Sequence, residues 1–460
     1  MTGATPVAAD DLPGLAVLVA GAGVSGAAAA RALRARGARV TVAEADAGRA
    51  APLQDEGFAV VDVDTPPPGT ALVVTSPGWR PTAPLLLAAQ ATGVEVVGEA
   101  ELAWRLRPAG AAPWLAVTGT NGKTTTVRML EAVLRAAGLR TVAAGNVGLP
   151  LIDVAADVSL DLLAVELSSF QLHWSASLRP AAAAVLNVAP DHLDWHGSLA
   201  AYAHAKARVW AGGVAVGNAR DEVVRTLLRA APGRHVSFTT GVPLAGELGV
   251  VEDLLVDRAF PDVAGEATEL ASRADLVVGG GHNVANALAA AALARSVGVP
   301  ASAVRQGLAA FRPERHRNEL VAEVAGVRWV DDSKATNPHA AAASLAAYPT
   351  VVWIAGGLLK GADVEDLVAT AAGGLRAVVL LGTDRALLAA ALARHAPDVP
   401  VVEVSRLDTG AMSEAVAHAR RLAREGDTVL LAPAAASMDC FRDYAERGEL
   451  FAAAVRTGQL

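Results

Sequence analysis

Short runs of valine, leucine and alanine recur along this chain, and alanine- and leucine-rich stretches of helical character lie between most of them. The strand candidates are "LAVLVAG", "ARVTVAE", "ALVVTS", "WLAVTG", "LLAVELS", "AAVLNV", "VVWIAGG", "AVVLLG" and "DTVLLAP"; "GAAAARALRARG" and "TTVRMLEAVLRAAG" typify what separates them. Such alternation predicts an α/β fold of mostly parallel sheets with right-handed crossovers, because a twisted strand feeding a helix packs back onto its sheet only that way. The strands are nearly continuous apolar runs, the pattern of sheets covered on both faces.

Two turn-rich segments interrupt the alternation. "RPAGAAP" at 107–113 precedes a fresh strand, and "FRPERHRN" at 311–318 follows a long helical region and is dense in charge and proline. They divide the chain into 1–110, 111–312 and 313–460, each of ordinary domain size. The full 460 residues give ample length for real cores. No short internal repeat or low-complexity stretch is evident.

Composition removes several function classes. A formal net charge of −8 and a pI near 5.7 argue against a nucleic-acid partner, which would need a basic face. The single cysteine, Cys440, excludes an internal disulfide and a cysteine-built zinc site, and fits a reducing cytoplasm. The uncharged runs at 12–30 and 340–359 have the length of a membrane span. The first is broken by Gly21, Gly23 and Gly26 and lacks a basic leader; the second contains Pro349 and ends in Gly356 and Gly357. Both read as buried strand, turn and helix pieces, so no membrane span and no signal peptide are expected.

The chemistry concentrates at strand ends. "VAGAGVSG" sets Gly21, Gly23 and Gly26 between a strand and a helix, with Glu44 closing the next strand. That is a phosphate-turn arrangement, open to a dinucleotide or to another nucleotide or diphosphate. "TSPGW" at 75–79 ends a further strand, where ligands of such sheets collect. "GTNGKTTT" at 119–126 is a phosphate-cradling loop in which Val117 holds the place of the usual first glycine. Glycine backbone turns its N–H groups toward phosphate, Lys123 can reach the outer phosphates, and Thr124 offers a hydroxyl to Mg²⁺. Glu166 in "LLAVELSSFQL" is a strand-end carboxylate suited to the same ion. Asp191, His192 and Asp194 follow the next strand; His192 alone reads as structural, and Lys206 alone as a solvated lysine of a helix. "VDDSKATNP", "GGLLKGAD" and "APAAASMDCFRDYAERG" are three strand-end polar clusters in the last part, read as a binding wall for an anionic substrate, against helix caps and turns.

In order along the chain, the phosphate loop, "GNVG" at 145–148, "ELSSFQL", "NVAPDHLDWH", "HAKARVW", "GHNVANALAA", "RHRNE", "DDSKATNP", "GGLLKGAD" and "LAPAAASMDCFRDYAERG" resemble the motifs of the Mur ligases. The resemblance covers nearly the whole chain. The phosphate loop is shared across that family and with folylpolyglutamate synthetases; "DSKATN" and the glycine pair before "KGAD" are more specific to its D-glutamate-adding members. The resemblance implies a Rossmann-like first domain for the uridine diphosphate of UDP-N-acetylmuramoyl-L-alanine rather than NAD. It also implies a central ATP-binding domain and a Rossmann-like third domain that brings D-glutamate.

By match to those motifs, Gly119, Thr120, Asn121, Gly122, Lys123, Thr124 and Thr125 would hold ATP, with Asn286, Arg317 and Asp332. Thr124 and Glu166 would serve one Mg²⁺, and His192 with Lys206, the latter as a carbamate, a second. Asn146 would share the catalytic neighbourhood. Val24, Ser25, Glu44 and Ser76 would lie around the uridine diphosphate; Lys334, Thr336, Lys360, Ser437 and Tyr444 would hold D-glutamate. A monomer is expected. Departures from the common motifs are Glu44 for aspartate, His173 for glutamate, Asp331 for asparagine and Tyr444 for phenylalanine. Rival readings are a ligase for another amino acid or a folylpolyglutamate synthetase, a dehydrogenase built on the first glycine turn, and a non-catalytic ATP switch.

Overall fold

In the computed structural model, residues 7–277, 280–313 and 315–457 are described, and they form an α/β protein with three sheets. The first sheet has five parallel strands in the order Ala59–Val61, Arg39–Ala43, Ala16–Ala20, Leu72–Thr75, Glu95–Gly98. The connections from Ala16–Ala20 run to one side and those from Leu72–Thr75 to the other, so the chain reverses beside Ala16–Ala20. In open parallel sheets, ligands gather at such a reversal. The following helix, Val24–Ala35, presents Ala28, Ala29, Ala30 and Leu33 to the core. It sits so close that a Cβ on Gly26 would fall 1.9 Å from the carbonyl oxygen of Gly21. Only glycine permits that approach.

The second sheet has nine strands: Thr268–Ser272, Leu254–Asp257, Glu247–Val251, Arg234–Phe238, Val214–Asn218, Ala182–Val185, Trp114–Thr118, Leu162–Glu166 and Thr141–Gly145. All neighbouring pairs are parallel except the terminal meander, where Leu254–Asp257 pairs antiparallel on both sides. The meander lies outside the nine predicted runs because its strands are short and mixed in polarity. The third sheet runs Glu319–Val324, Val327–Asp331, Thr428–Leu431, Val351–Gly356, Leu375–Leu381, Val401–Glu403, parallel but for the first pair. The C-terminal ends of Val327–Asp331, Thr428–Leu431 and Val351–Gly356 are therefore adjacent, and they carry the three polar clusters of the last segment.

The chain packs into two compact units. One reaches to Val188 and includes Trp195–Val277 and Asn283–Phe311, so it contains the first two sheets; the other holds Ala189–Asp194 and the chain from Arg312 onward. The run at 12–30 is strand Ala16–Ala20, turn and helix, and the run at 340–359 is the end of helix Pro338–Leu345 followed by strand Val351–Gly356. Among the described residues no helix is long and apolar enough to cross a membrane.

Within the first unit, two buried glutamates of helix Glu99–Arg105 join the first sheet's layer to the second's. Glu101 accepts hydrogen bonds from the backbone N–H groups of Ala176 (2.9 Å) and Ser177 (3.0 Å), from Ser177 Oγ (2.6 Å) and from Arg105 Nε (2.8 Å). Burial pushes its carboxyl up, but these four donors outweigh that and hold it below the usual range. Glu99 is 1 % exposed and accepts from Ile152 N at 2.7 Å. With fewer donors, burial wins and pushes its carboxyl to about 7. The segment 107–113 crosses the same seam, and Arg107 stacks 3.4 Å over the Trp104 ring.

The two carboxylates make opposite contributions to stability. For Glu99 the folded state binds the proton more tightly than the unfolded chain. Stability therefore falls as pH rises from about 4.5 to about 7, by roughly 3 kcal/mol if the whole shift is realised. Glu99→Gln keeps an acceptor for Ile152 N and removes the charge. It should raise Tm at pH 8 and leave it nearly unchanged at pH 4.5; equal shifts at both values would refute the burial argument.

Candidate functional site

The nucleotide-loop candidates sit where strand Trp114–Thr118 hands over to helix Lys123–Ala136. Gly122 caps that helix in the left-handed region (φ +83), and a Cβ there would lie 2.4 Å from Asn286 Oδ1. A glycine is required twice over: by backbone conformation and by the side chain of Asn286 from helix Gly281–Ser296. Asn187, just beyond strand Ala182–Val185, ties the loop down from the other side. Its carbonyl accepts from Thr120 N (2.9 Å) and its Oδ1 from Asn121 N (2.8 Å), while its amide donates to Asn121 O (3.1 Å).

Two lysines converge on one carbonyl. Lys123 Nζ donates to Gly119 O (2.9 Å) and Thr120 O (2.8 Å), and Lys206 Nζ donates to Gly119 O (2.8 Å). Lys206 is 1 % exposed and lies 4.3 Å over the Tyr202 ring, whose hydroxyl bonds Thr120 Oγ1 at 3.1 Å. The reading of Lys206 as a solvated surface lysine is therefore corrected. Helix Leu199–Ala207 turns Tyr202 and Lys206, four residues apart, inward on one face.

Glu166 ends strand Leu162–Glu166, in register with Val117 at the base of the loop. Its Oε1 accepts from Asn146 Nδ2 at 2.7 Å, while its Oε2 is buried without a hydrogen-bond partner. An orphaned carboxylate oxygen beside a phosphate loop fits a divalent cation, which would supply the missing partner; Thr124, 5 % exposed in the first helical turn, is the matching hydroxyl. The neighbouring Gly145 is at φ +109, with a Cβ position 2.3 Å from Glu166 O. Ser168 caps helix Ser169–His173 in a reciprocal box with Gln171, so this serine is used by the fold. His173 is half-buried, and burial together with Arg208 lowers its imidazole below the usual value.

At the first sheet, Glu44 does not stand clear of the glycine turn: its Oε2 accepts from Ala22 N (2.9 Å) and its Oε1 from Asp46 N (3.1 Å). Ser76 Oγ lies 3.5 Å from Gly21 O. Val24 is 77 % exposed and Ser25 partly exposed at the mouth of the turn.

In the second unit His192 has a left-handed backbone (φ +54) and its N–H donates to its neighbour Asp191 Oδ1 (2.9 Å). It thus belongs to a different compact unit from Thr124, Glu166 and Lys206. Asp332, at the end of strand Val327–Asp331, is pushed to about 6 by burial, against bonds from Ser344 and the Asn318 N–H and the charge of Arg317. Lys334 Nζ donates to Tyr444 Oη at 2.9 Å, so two of the proposed amino-acid contacts touch each other. Ser437 is buried, Thr336 partly exposed, and Lys360 exposed with φ +53.

Arg447, absent from the sequence reading, is fully buried. It donates to Ser333 Oγ, Ser333 O and Ala435 O at 3.0, 2.7 and 3.1 Å, binding the loops of Lys334 and Ser437 to helix Tyr444–Thr457. Burial lowers its guanidinium to about 10. The "RHRN" segment, expected as linker, is a tied turn in which His316 is buried. Asn187 and Arg447 lie inside the motifs "NVAPDHLDWH" and "LAPAAASMDCFRDYAERG" without a role assigned to them there; Tyr202 could have been found from its spacing to Lys206.

Gly122→Ala should distort the loop through both φ and the contact with Asn286. Nucleotide affinity, measured by titration with ADP, is expected to fall at least about tenfold, with a loss of roughly 1–2 kcal/mol in stability. Unchanged affinity would show that the loop does not bind phosphate in this conformation.

Comparison with known proteins agrees with these motifs. Residues 117–294 match the Mur ligase middle domain and residues 316–435 the Mur ligase glutamate ligase domain. The UDP-N-acetylmuramoylalanine–D-glutamate ligase of Thermobifida fusca is 62 % identical over 97 % of this chain and 99 % of its own length. The ligase of that name from Mycobacterium avium is 52 % identical over 99 % of each. Among solved structures, a UDP-N-acetylmuramate-alanine ligase from Thermotoga maritima aligns over 96 % of this chain and 100 % of its own with a TM-score of 0.59 at 19 % identity, a likeness of fold. Sequence matched at that level over nearly the whole length, on a fold of the same kind, places the chain in the Mur ligase family.

Proposed function

We propose that this chain joins D-glutamate to UDP-N-acetylmuramoyl-L-alanine at the expense of ATP, releasing ADP and phosphate in peptidoglycan precursor synthesis. The relatives named for that reaction support it, and the observation that carries it is the convergence of Lys123 and buried Lys206 on Gly119 O beside Glu166.

A carboxylate resists nucleophiles because of its charge and because oxide is a poor leaving group; phosphorylation removes both obstacles. A carboxylate oxygen of the L-alanyl end bonds the γ-phosphorus as the bond to the β–γ bridging oxygen breaks and ADP leaves. The amine of D-glutamate then adds to the acyl carbon and loses a proton. The tetrahedral adduct expels inorganic phosphate and leaves the amide. Lys123 stabilises the charge on the outer phosphates, and the loop N–H groups and Asn286 orient the nucleotide. Arg317 and Asp332 contact ATP. Lys334, Thr336, Lys360, Ser437 and Tyr444 hold the two carboxylates of D-glutamate and aim its amine. Val24, Ser25, Glu44 and Ser76 receive the uridine diphosphate.

Magnesium, held at Thr124 with Glu166 and at His192 with Lys206, would neutralise phosphate charge. As a carbamate Lys206 becomes an anion and a metal ligand, which accounts for burying this lysine at the loop. In this reading residues 1–110, 111–312 and 313–460 act as the nucleotide-sugar, ATP and amino-acid domains, in a cytoplasmic monomer.

A panel of amino acids supplied with ATP and UDP-N-acetylmuramoyl-L-alanine should release phosphate with D-glutamate alone. Release with a different amino acid, or with a folate substrate, would replace this reading. Lys123→Ala should lower kcat by about 10²-fold or more, and near-normal turnover would remove the loop from the chemistry. Isotope-labelled bicarbonate should yield a carbamate carbon resonance in the native enzyme that Lys206→Ala abolishes; its absence from the native spectrum would exclude the modified lysine.

A further inference from the structure

The turn that carries Arg317 is built from unfavourable backbone. His316 (φ +64) and Asn318 (φ +52) both occupy the left-handed region that L-residues avoid. Such a turn persists only where its surroundings fix it, and the fixing groups are identifiable. His316 N donates to Glu319 Oε2 (2.9 Å), and Lys334 N donates to His316 O (3.2 Å). Asn318 N donates to Asp332 Oδ1 (3.2 Å), and Tyr348 Oη to Asn318 Oδ1 (2.6 Å). The only charged tie of the His316 ring among these contacts is to Asp331: Nδ1 and Oδ2 are 2.7 Å apart, with the two residues 4 % and 1 % exposed.

Asp331 uses both oxygens. While Oδ2 holds the imidazole, Oδ1 accepts from Ser333 N at 2.9 Å and so sets the turn that leads into Lys334. The pair is pressed against the backbone of helix Tyr444–Thr457: a Cβ on Gly448 would lie 2.2 Å from His316 Nδ1 and 2.6 Å from Asp331 Oδ2. It therefore cannot shift toward that helix.

We propose that the buried His316–Asp331 pair is a positioning device of the ligase site, one carboxylate setting both the turn that presents Arg317 to the nucleotide and the turn that presents Lys334 to the amino acid. This rests on the reading of Arg317 and Lys334 as substrate contacts. His316 and Asp331 are both buried, and they act through the two turns they hold. The pair makes the alignment of the two half-sites one property rather than two, so loosening it weakens both together.

The ionic state of the pair is set by the groups around it. His316 faces Asp331 from strand Val327–Asp331 and Glu319 from strand Glu319–Val324, with Arg315 and Arg317 on its own turn; Arg315 also reaches Glu449 of the neighbouring helix at 3.9 Å. Arg447 of that helix donates to Ser333 and Ala435. The hydrogen bond to Asp331 raises the imidazole above its usual value, against burial and the charge of Arg315. With the folded pKa raised, the stabilisation is complete below about 6.5 and is lost as pH rises through the folded value.

The test uses Asp331→Asn in the full chain. The amide retains an acceptor for Ser333 N and removes the charge. KM for ATP and KM for D-glutamate should both rise, each by about tenfold, with a smaller change in kcat. The rise of both KM values with pH in the native enzyme should be flattened in the variant. A lower Tm with both KM values and the pH profile unchanged would reduce the pair to a structural tie, and a change in only one KM would overturn its shared role.

Arg317→Ala and Lys334→Ala, run in parallel, separate the two ideas. If they leave KM unaffected, the assignment of substrate contacts fails; if they raise KM and Asp331→Asn does not, the positioning role fails. Should the variant not fold, the His316 ring can be titrated by NMR in the native enzyme with and without a non-hydrolysable ATP analogue. Linkage requires the analogue to raise its pKa further, and an unmoved titration would overturn the proposal.

Discussion

The site depends on an electrostatic concentration that the fold creates at the carbonyl of Gly119. Lys123 approaches it along the first turn of its own helix, and Lys206 reaches it from a helix more than eighty residues away, both at hydrogen-bond distance. Two ammonium groups on one oxygen repel each other, and water cannot screen a lysine that is 1 % exposed. In the proposed enzyme anions meet this arrangement: phosphate oxygens before Lys123 and a carbamate on Lys206. Glu166 completes the pattern with an unpartnered carboxylate oxygen.

The second unit solves a different problem. Its three polar turns follow adjacent parallel strands, but strand ends alone do not fix the turns that leave them. Buried polar groups do. Arg447 gathers Ser333 and Ala435, and Asp331 gathers His316 and Ser333, in a region where an unmet hydrogen bond would be expensive. Such networks specify one geometry because every alternative leaves a buried donor or acceptor without a partner.

Much of this was legible from local signals. Apolar runs marked the central parallel strands of each sheet but not the parallel strands Ala59–Val61, Glu95–Gly98, Thr141–Gly145, Val214–Asn218, Arg234–Phe238 and Val401–Glu403, and the glycines of "VAGAGVSG" and "GTNGKTTT" marked two strand-to-helix turns, because backbone conformation and close approach demand that residue type locally. The antiparallel strands Leu254–Asp257 and Thr268–Ser272 were not legible: they are short, partly polar and stabilised by pairing. Lys206 was misread by pattern alone, since a lysine in an alanine-rich helix looks the same whether that face meets water or a loop. Glu44 looked available to a ligand, yet it is engaged by the N–H groups of Ala22 and Asp46.

The sequence by itself determined the α/β class, the strand-to-helix phosphate loop and the kinds of residue available for chemistry, since these follow from periodicity and from short-range steric rules. Tertiary structure alone decided which strands are neighbours and therefore that Glu166 stands beside the loop, that Lys206 is buried, that Asn286 fills the space a side chain at Gly122 would need, and that Asp331 joins two turns. These are pairings across dozens to more than a hundred residues. They are set by how layers pack and how buried polar groups find partners, which no local stretch of chain encodes.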